Sequence, residues 1–372
     1  MSELFPFDQA GSTVFYTVLY LLTLVIHAIF MSYVLAGSLW LGVQSIARRQ
    51  RSADQPENRV NAVMRDWMPF VLSAAITAGV APLLFIQLLY PHAYYTANLL
   101  LNWRWMVVVP VITISFYLLY VQKSRRLQDS TVSLRALVTL TTAASFLFVA
   151  FCWTANHQLS LDAERWPDVF AGESAIASGV QLLSRLLTWV AGTFPVMAIF
   201  VRWQVAGSRT DSVEGQQSER KPLAVVAMSG LIGAAICASI YLWQLPETVT
   251  GQIADRGGWI WGGAAMIGVI LQFPGWWPVL RDGRDSTLLR SLTTAGCLLT
   301  LTSVAVVREI IRSASLSSAG VKSSAADAAE IGGFGIFLLF ALINTVLCGF
   351  CIWLILPAIR KRKQEVTDQA AK

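Results

Sequence analysis

Long apolar runs separated by short polar loops make up most of this chain. From residue 14 onward the runs reach about 20 residues or more, the length that an α-helix needs to cross the hydrocarbon core of a bilayer. No loop between them is long enough to form a separate soluble domain. The pattern predicts an all-α, polytopic membrane helical bundle in a single domain, residues 1–372, with about nine transmembrane helices. We place these helices near 14–45, 68–90, 103–122, 134–156, 180–203, 223–245, 259–280, 288–308 and 333–358.

Basic residues are concentrated in alternate loops, and this pattern predicts the orientation of the bundle. Lys and Arg follow the first, third, fifth, seventh and ninth apolar runs, whereas the other loops contain fewer of them. Examples are Arg48, Lys123, Arg220, Arg281 and Arg360. Cytoplasmic loops of membrane proteins carry an excess of Lys and Arg. We therefore expect the N-terminus outside and the C-terminus in the cytoplasm.

Composition agrees with a membrane protein and changes the interpretation of the positive charge. Of the 372 residues, 55% are hydrophobic and 13% are charged, whereas soluble domains are usually about 25% charged. The mean hydropathy is +0.56. The net charge of +6 does not indicate nucleic-acid binding, because the basic residues lie in the loops between spans. The partner that composition predicts is the lipid bilayer.

His27 is an ionisable residue inside the first apolar run, where nearly every neighbour is apolar. Ionisable groups are costly in lipid, so such a residue is a functional candidate by default. Neutral imidazole is also a common axial ligand of haem iron. Two interpretations stay open on this residue alone: an iron ligand, or a buried histidine hydrogen-bonded to a neighbouring helix.

Glu309 and Arg312 form the second candidate, at the predicted outer end of the eighth span. Residues three apart share one face of a helix, whereas the neighbouring Arg308 is expected to point elsewhere. The Glu309 carboxylate could ligate iron, or it could only pair with Arg312 at the membrane surface. Both interpretations remain open at this point.

Four further residues carry weaker signals. Arg185, in the outer half of the fifth span, is an intramembrane cation that would face a cavity, a haem propionate or an acidic partner. Met266, inside the seventh span, offers a thioether that ligates haem iron in some cytochromes, although methionine usually fills gaps in a core. His92 and His157 follow the second and fourth spans and are expected to be solvated at the membrane surface.

Five short segments together resemble subunit I of the cytochrome bd-type quinol oxidases. They occur in the order of that family and on the same predicted side of the membrane, within nine predicted spans of the same orientation. The segments are Leu22-Thr23 with His27, Gly79-Val80-Ala81, Trp153-Thr154-Ala155-Asn156, Ala265-Met266-Ile267-Gly268 and Glu309 with Arg312.

The resemblance implies one or two haems near the outer face of a bacterial inner membrane. It implies that His27 ligates the iron of an active-site haem and that Met266 ligates a low-spin haem. It also implies that Glu309, beside Arg312, belongs to a two-haem active site in which iron contacts His27 and Glu309. We expect His27, Met266 and Glu309 to face the interior of the bundle, with His27 and Glu309 in one cavity near the outer leaflet.

Three departures from the family change the expected function. The fifth span has no histidine opposite Met266, and Arg185 stands near that place, where a permanently protonated guanidinium cannot ligate iron. The third span contains no Asp or Glu. The segment 246–258 is short where the family has a long quinol-binding loop.

We therefore expect a haem-binding membrane electron-transfer subunit resembling the bd oxidases. It would be an oxidoreductase fed by a cytochrome partner rather than by quinol. A second membrane subunit, a periplasmic cytochrome or both would be its partners. The alternative is a non-catalytic scaffold or anchor subunit of a respiratory complex that has lost most cofactors. A transporter is a weaker interpretation, because broken-helix repeats are not evident.

Overall fold

The computed structural model describes residues 11–49, 58–176, 179–206 and 213–320, with parts of 335–353. All its regular elements are helical in these ranges. The α-helices are α1 (Gly11–Arg49), α2 (Arg59–Leu89), α3 (Pro91–Leu101), α4 (Trp103–Met106), α5 (Val108–Lys123), α6 (Arg125–Gln128), α7 (Val132–Leu161), α8 (Trp166–Ala171), α9 (Gly179–Ala206), α10 (Val213–Trp243), α11 (Glu247–Asp255), α12 (Gly258–Asp282) and α13 (Thr287–Ser318). A short 3-10 helix, Ala163–Arg165, precedes α8.

The polytopic all-α bundle predicted from the apolar runs is confirmed. Within the described part of the chain, eight helical segments are long and apolar enough to cross a membrane, one of them made of two consecutive helices. These are α1, α2, α4 with α5, α7, α9, α10, α12 and α13. The ninth predicted span, 333–358, falls largely outside the described residues. The eighth span, α13, is longer than predicted. It ends at Ser318 rather than near residue 308, because its polar final turns are buried against other helices.

Successive spans run in opposite directions. We use "upper end" for the end of the bundle where α1 begins and "lower end" for the opposite one. The short helices α3, α8 and α11 lie at the upper end, between consecutive spans. The hairpins α1–α2, α9–α10 and α12–α13 make the most extensive contacts, and α1 also packs against α7 and α9. Which end faces the cytoplasm stays a prediction.

Apolar side chains fill the middle of the bundle, between two polar ends. The largest fully buried ones include Tyr33, Met64, Met68, Met197 and Trp276. Outward-facing positions of the same helices carry exposed leucine, isoleucine, valine and aromatic residues. An apolar outer surface is what a helix facing lipid requires, so burial and composition together describe a multi-pass membrane protein.

Small residues allow α12 and α13 to pack closely. A Cβ added at Gly268 would lie 2.7 Å from the carbonyl oxygen of Gly296, and one at Gly296 would lie 2.8 Å from the carbonyl oxygen of Gly268. Close backbone approach at glycines is a common way for helices to associate within a membrane. Glycine at these positions is therefore required by the contact itself.

We expect Gly268→Val to lower the free energy of unfolding by about 1–3 kcal/mol, because the added side chain would overpack the α12–α13 contact. Thermal denaturation in detergent measures the effect. The matched control is Gly262→Val on the same helix, since a Cβ there meets nothing within 4 Å. Equal losses in the two variants would contradict the assigned contact.

Candidate functional site

Eight polar or aromatic side chains from six helical segments meet at the upper end of the bundle. Their helices run in alternating directions, so residues far apart in sequence reach the same level. We call this group the upper cluster; it consists of Tyr20, Tyr90, His157, Arg185, Tyr241, Arg308, Glu309 and Arg312. Most of these groups are buried, as polar groups inside a membrane bundle must be.

Glu309 lies at the centre of the upper cluster and has no solvent exposure. The Tyr90 hydroxyl donates to Oε1 at 2.6 Å, and Nη1 of Arg312 donates to Oε2 at 2.9 Å. Burial raises the pKa of Tyr90 well above its ordinary value, so its hydroxyl keeps the proton that it donates. The predicted Glu309–Arg312 pair is therefore present, but it lies inside the bundle and not on the membrane surface.

Arg312 and Arg308 share two acceptors. The Tyr20 hydroxyl accepts from Nη1 of Arg308 at 2.6 Å and from Nη1 of Arg312 at 3.0 Å. Nδ1 of His157 accepts from Nη2 of Arg312 at 3.0 Å and lies 3.5 Å from Nη2 of Arg308. The expectation that Arg308 points elsewhere was wrong, because residues four apart on a helix also share a face.

His157 is buried, with 5% of its surface exposed, so the expectation of a solvated histidine was wrong. α7 continues to Leu161, about one turn beyond the predicted end of the fourth span, and carries His157 into contact with α13. His92, by contrast, is exposed on α3, as expected.

Arg185 is a buried cation, 5% exposed, whose guanidinium carbon lies 4.8 Å from the ring centroid of Tyr241. Among the described residues, no carboxylate pairs with it. The positive charges of Arg308 and Arg312 act on it instead. Its position inside the membrane bundle agrees with the sequence, but the group that balances its charge is not among these side chains.

His27 lies on α1, two turns below Tyr20, or about 10 Å along the helix axis. It is half-buried, and its Nδ1 lies 2.9 Å from the carbonyl oxygen of Ala75 on α2. A carbonyl can only accept, so Nδ1 carries the proton and Nε2 keeps its lone pair in the neutral ring. A Cβ at Gly79 would lie 2.9 Å from the ring, so glycine makes room for the imidazole.

Met266 does not face the interior of the bundle, and the expectation that it would was wrong. It is 57% exposed. The buried face of α12 carries Gly268, Gln272 and Gly275, which pack toward α13. Residues two apart on a helix do not share a face, so Met266 points away from that contact.

The side chains fit a haem only in part. In the described residues, no three His, Cys, Asp or Glu side chains are grouped as metal ligands. Both oxygens of Glu309 already accept hydrogen bonds, so this carboxylate fits an iron-ligand role poorly. His27 fits a single axial ligand, because a metal-binding histidine characteristically donates its second N–H to a carbonyl or carboxylate.

A second polar group, which the sequence patterns did not predict, lies at the lower end. Asp285 accepts from Arg202 through Nε at 3.0 Å and Nη2 at 2.7 Å. Its other oxygen lies 3.6 Å from Arg290 and 3.9 Å from Arg220. We call these four residues the lower cluster; Arg202 also lies over the ring of Trp276. The available sequence signal was Asp285 itself, an aspartate two residues before α13 and close in sequence to Arg284 and Arg290.

Comparison with known proteins supports the fold. No family model matches the sequence, and no curated protein sequence matches it. The structure is similar to a chain in a bd oxidase from Geobacillus thermodenitrificans, with a TM-score of 0.62 and 11% identity over 93% of this chain and 98% of that chain. At this identity the likeness shows the fold alone. The chain has a respiratory-oxidase-like membrane fold.

Proposed function

We propose that this chain is a membrane subunit that holds one haem through His27 and takes part in electron transfer. When bound, a haem would supply one-electron redox chemistry of its iron. The chain's own contribution would be the axial nitrogen, the apolar surroundings and the charges of the upper cluster. The site of action would be a bacterial inner membrane.

The observation that carries the proposal is the setting of the His27 ring. The Ala75 carbonyl selects the tautomer that leaves Nε2 unprotonated, and the absence of a side chain at Gly79 lets the ring lie close against α2. Among the described residues, no hydrogen-bond partner of Nε2 is found. A histidine oriented by a backbone carbonyl and open at its other nitrogen is preorganised as a ligand.

Glu309 and Arg312 have an electrostatic role in this proposal. Glu309 balances part of the positive charge in the upper cluster, and Arg312 holds it by a charge-assisted hydrogen bond. Two turns of α1 separate this cluster from His27, a gap that an extended porphyrin and its propionates could span. The predicted cavity shared by His27 and Glu309 stays a prediction.

The electron donor would be a cytochrome partner, with a second membrane subunit completing the complex. The upper-end connection between α10 and α12 holds only the nine-residue helix α11. So short a connection offers little surface for a quinol head group, which favours electron entry from a protein at that end.

A non-catalytic scaffold subunit remains the second candidate, and two observations favour it. Both oxygens of Glu309 are occupied by protein donors, and the Met266 thioether is exposed on the outside of the bundle. A chain that had kept the bundle but lost its iron sites would have these features.

A reduced-minus-oxidised visible spectrum of the purified protein separates these two functions. We expect about one haem per chain in the wild type, measured as the pyridine haemochrome. We expect His27→Gly to lose most of it, because the axial nitrogen is gone. Added imidazole should restore the band in His27→Gly, since it supplies the same nitrogen.

The matched control is His92→Gly, which removes an exposed histidine from α3. Its haem content should equal that of the wild type. Wild-type protein without a haem spectrum would favour the scaffold function. Full haem content in folded His27→Gly would show that another residue is the ligand.

A further inference from the structure

The upper cluster contains more positive than negative charge. Arg185, Arg308 and Arg312 are cations, whereas Glu309 is its one carboxylate, so the described members carry two excess positive charges. Arg185 and Arg312 are 5% and 2% exposed. Arg312 is paired with Glu309 and Arg308 is only half-buried, so Arg185 is the buried cation of the described cluster that has no counter-ion. An unpaired buried ion is costly, so Arg185 calls for a compensating anion.

Several buried donors of this region also lack an acceptor among the described residues. Nε of Arg185 and Nε of Arg312 are two of them, and Nε2 of His157 is the third. Arginine can only donate, so Nδ1 of His157 accepts from Arg312 and the ring proton lies on Nε2. The side-chain nitrogen of Gln158, next to His157 on α7, is unpartnered as well.

We infer that the upper cluster binds an oxyanion group, a carboxylate or a phosphate, between α7, α9 and α13, held by Arg185, Arg312 and His157. Such a group would accept hydrogen bonds from the unpartnered N–H donors. It would also neutralise excess positive charge of the upper cluster. Guanidinium donors suit carboxylate and phosphate oxygens in both charge and geometry.

The neighbouring side chains do not already perform this role. The Tyr241 ring attracts the guanidinium of Arg185 by a cation–π contact, but an uncharged ring does not neutralise the positive charge. Glu309 has both oxygens engaged by Tyr90 and Arg312. The charge of Arg185 is thus left without a counter-ion in the described part of the chain.

This inference goes beyond the proposed function and does not depend on iron at His27. A haem propionate, a phospholipid headgroup and a small free carboxylate or phosphate all present the same oxygen chemistry. Native mass spectrometry of the purified protein distinguishes them by the mass that is retained. The haem spectrum tests His27 separately.

The experiment measures the thermal midpoint of the detergent-purified full chain with three probes. These are sodium phosphate, sodium succinate, and anionic cardiolipin compared with zwitterionic phosphatidylcholine, whose net charge is zero; sodium chloride matches the ionic strength. A ligand that binds only the folded state raises the midpoint, and we expect a rise of roughly 3 °C with at least one anionic probe, or a retained anionic mass.

Arg185→Met should abolish both signals. Without an anion, this variant should melt at or above the wild-type temperature, because an uncompensated buried charge has been removed. The matched control is Arg104→Met, since Arg104 also lies over an aromatic ring, 5.0 Å from Trp103, but outside the upper cluster. The control should keep the anion response.

His157→Gln provides a second variant if Arg185→Met does not fold, and it should weaken the anion response. The inference is overturned if the wild type shows neither a retained anionic mass nor an anion-specific rise. It is equally overturned if Arg185→Met, or failing that His157→Gln, keeps a response as large as that of Arg104→Met.

Discussion

Asp285→Asn is expected to lower the free energy of unfolding by about 3–5 kcal/mol, the range for breaking a buried ion pair by removing one partner. Asp285 and Arg202 are each 1% exposed at their side chains. With the carboxylate gone, the Arg202 guanidinium would remain buried without a counter-ion. Arg220 and Arg290 would lose their nearest negative charge at the same time.

The large effect also follows from what the lower cluster joins. Arg202 lies in the lower half of α9, Arg220 lies on α10, and Asp285 lies directly before α13. Arg202 also donates to the carbonyl oxygen of Gly275 on α12 at 3.2 Å. Loss of the carboxylate should therefore loosen four helices together rather than one loop.

Denaturation of detergent-solubilised protein by heat or denaturant measures this change. Asp282→Asn is the matched control, because it alters an aspartate only three residues away whose side chain is 43% exposed. An exposed ion pair contributes about 0–1 kcal/mol, so the control should unfold close to the wild type. If both variants lost the same stability, the buried pair would not be the cause.

The fold could be predicted because it depends on a local property. Each span must be apolar over about 20 residues whatever its neighbours are, so a run such as 134–156 identifies its own helix. The predicted ends were less accurate. α2 begins at Arg59 rather than near residue 68, and α13 continues to Ser318. In both helices the additional turns contain polar groups that bond to neighbouring helices, such as Asn61 with Trp40 and Arg312 with His157.

The site was harder to predict because it depends on which helices are neighbours. His157 looked like a surface residue while its position was judged only from the end of an apolar run. α13 lies beside it and supplies two guanidinium groups. The Arg308–Arg312 spacing was visible in the sequence, and four residues on a helix should have placed both on one face. Tyr20 and Tyr90 gave no comparable signal.

Met266 illustrates the opposite error. Its resemblance to a ligand segment suggested an inward side chain, but the same segment contains Gly268, which α13 contacts closely. Two residues along a helix reverse the direction of a side chain, so Gly268 inside places Met266 outside. A small residue such as Gly268 is typical of a helix contact in a membrane, so helical geometry favours an outward Met266 on the sequence alone.

Glu309→Gln is expected to destabilise the bundle by about 3–5 kcal/mol as well, since it removes the one carboxylate from the upper cluster. Glutamine keeps an oxygen that can accept from Tyr90, so the volume and one hydrogen bond are retained. The excess positive charge of the described cluster rises, and Arg312 loses its counter-ion at 2.9 Å. Thermal and denaturant unfolding in detergent measure the loss.

A double-mutant cycle with Arg312→Met separates the pair from its surroundings. Residues in contact commonly couple by about 0.5–3 kcal/mol, so the double variant should be more stable than the sum of the single losses predicts. Glu247→Gln, which removes an exposed carboxylate from α11, is the control and should unfold like the wild type. Additive losses in the cycle would show that Glu309 and Arg312 act independently.

Glu309→Gln also tests whether the charge of the upper cluster affects the midpoint potential of a haem. Removing a negative charge disfavours the ferric state relative to the ferrous one, so haem held near the cluster should show a higher midpoint potential in Glu309→Gln. His27→Gly should abolish that same spectral species. Unchanged haem content, midpoint potential and ligand binding, beside a large loss of stability, would leave Glu309 a structural residue. A shifted potential with intact haem content would instead place the Glu309 charge within electrostatic reach of the iron.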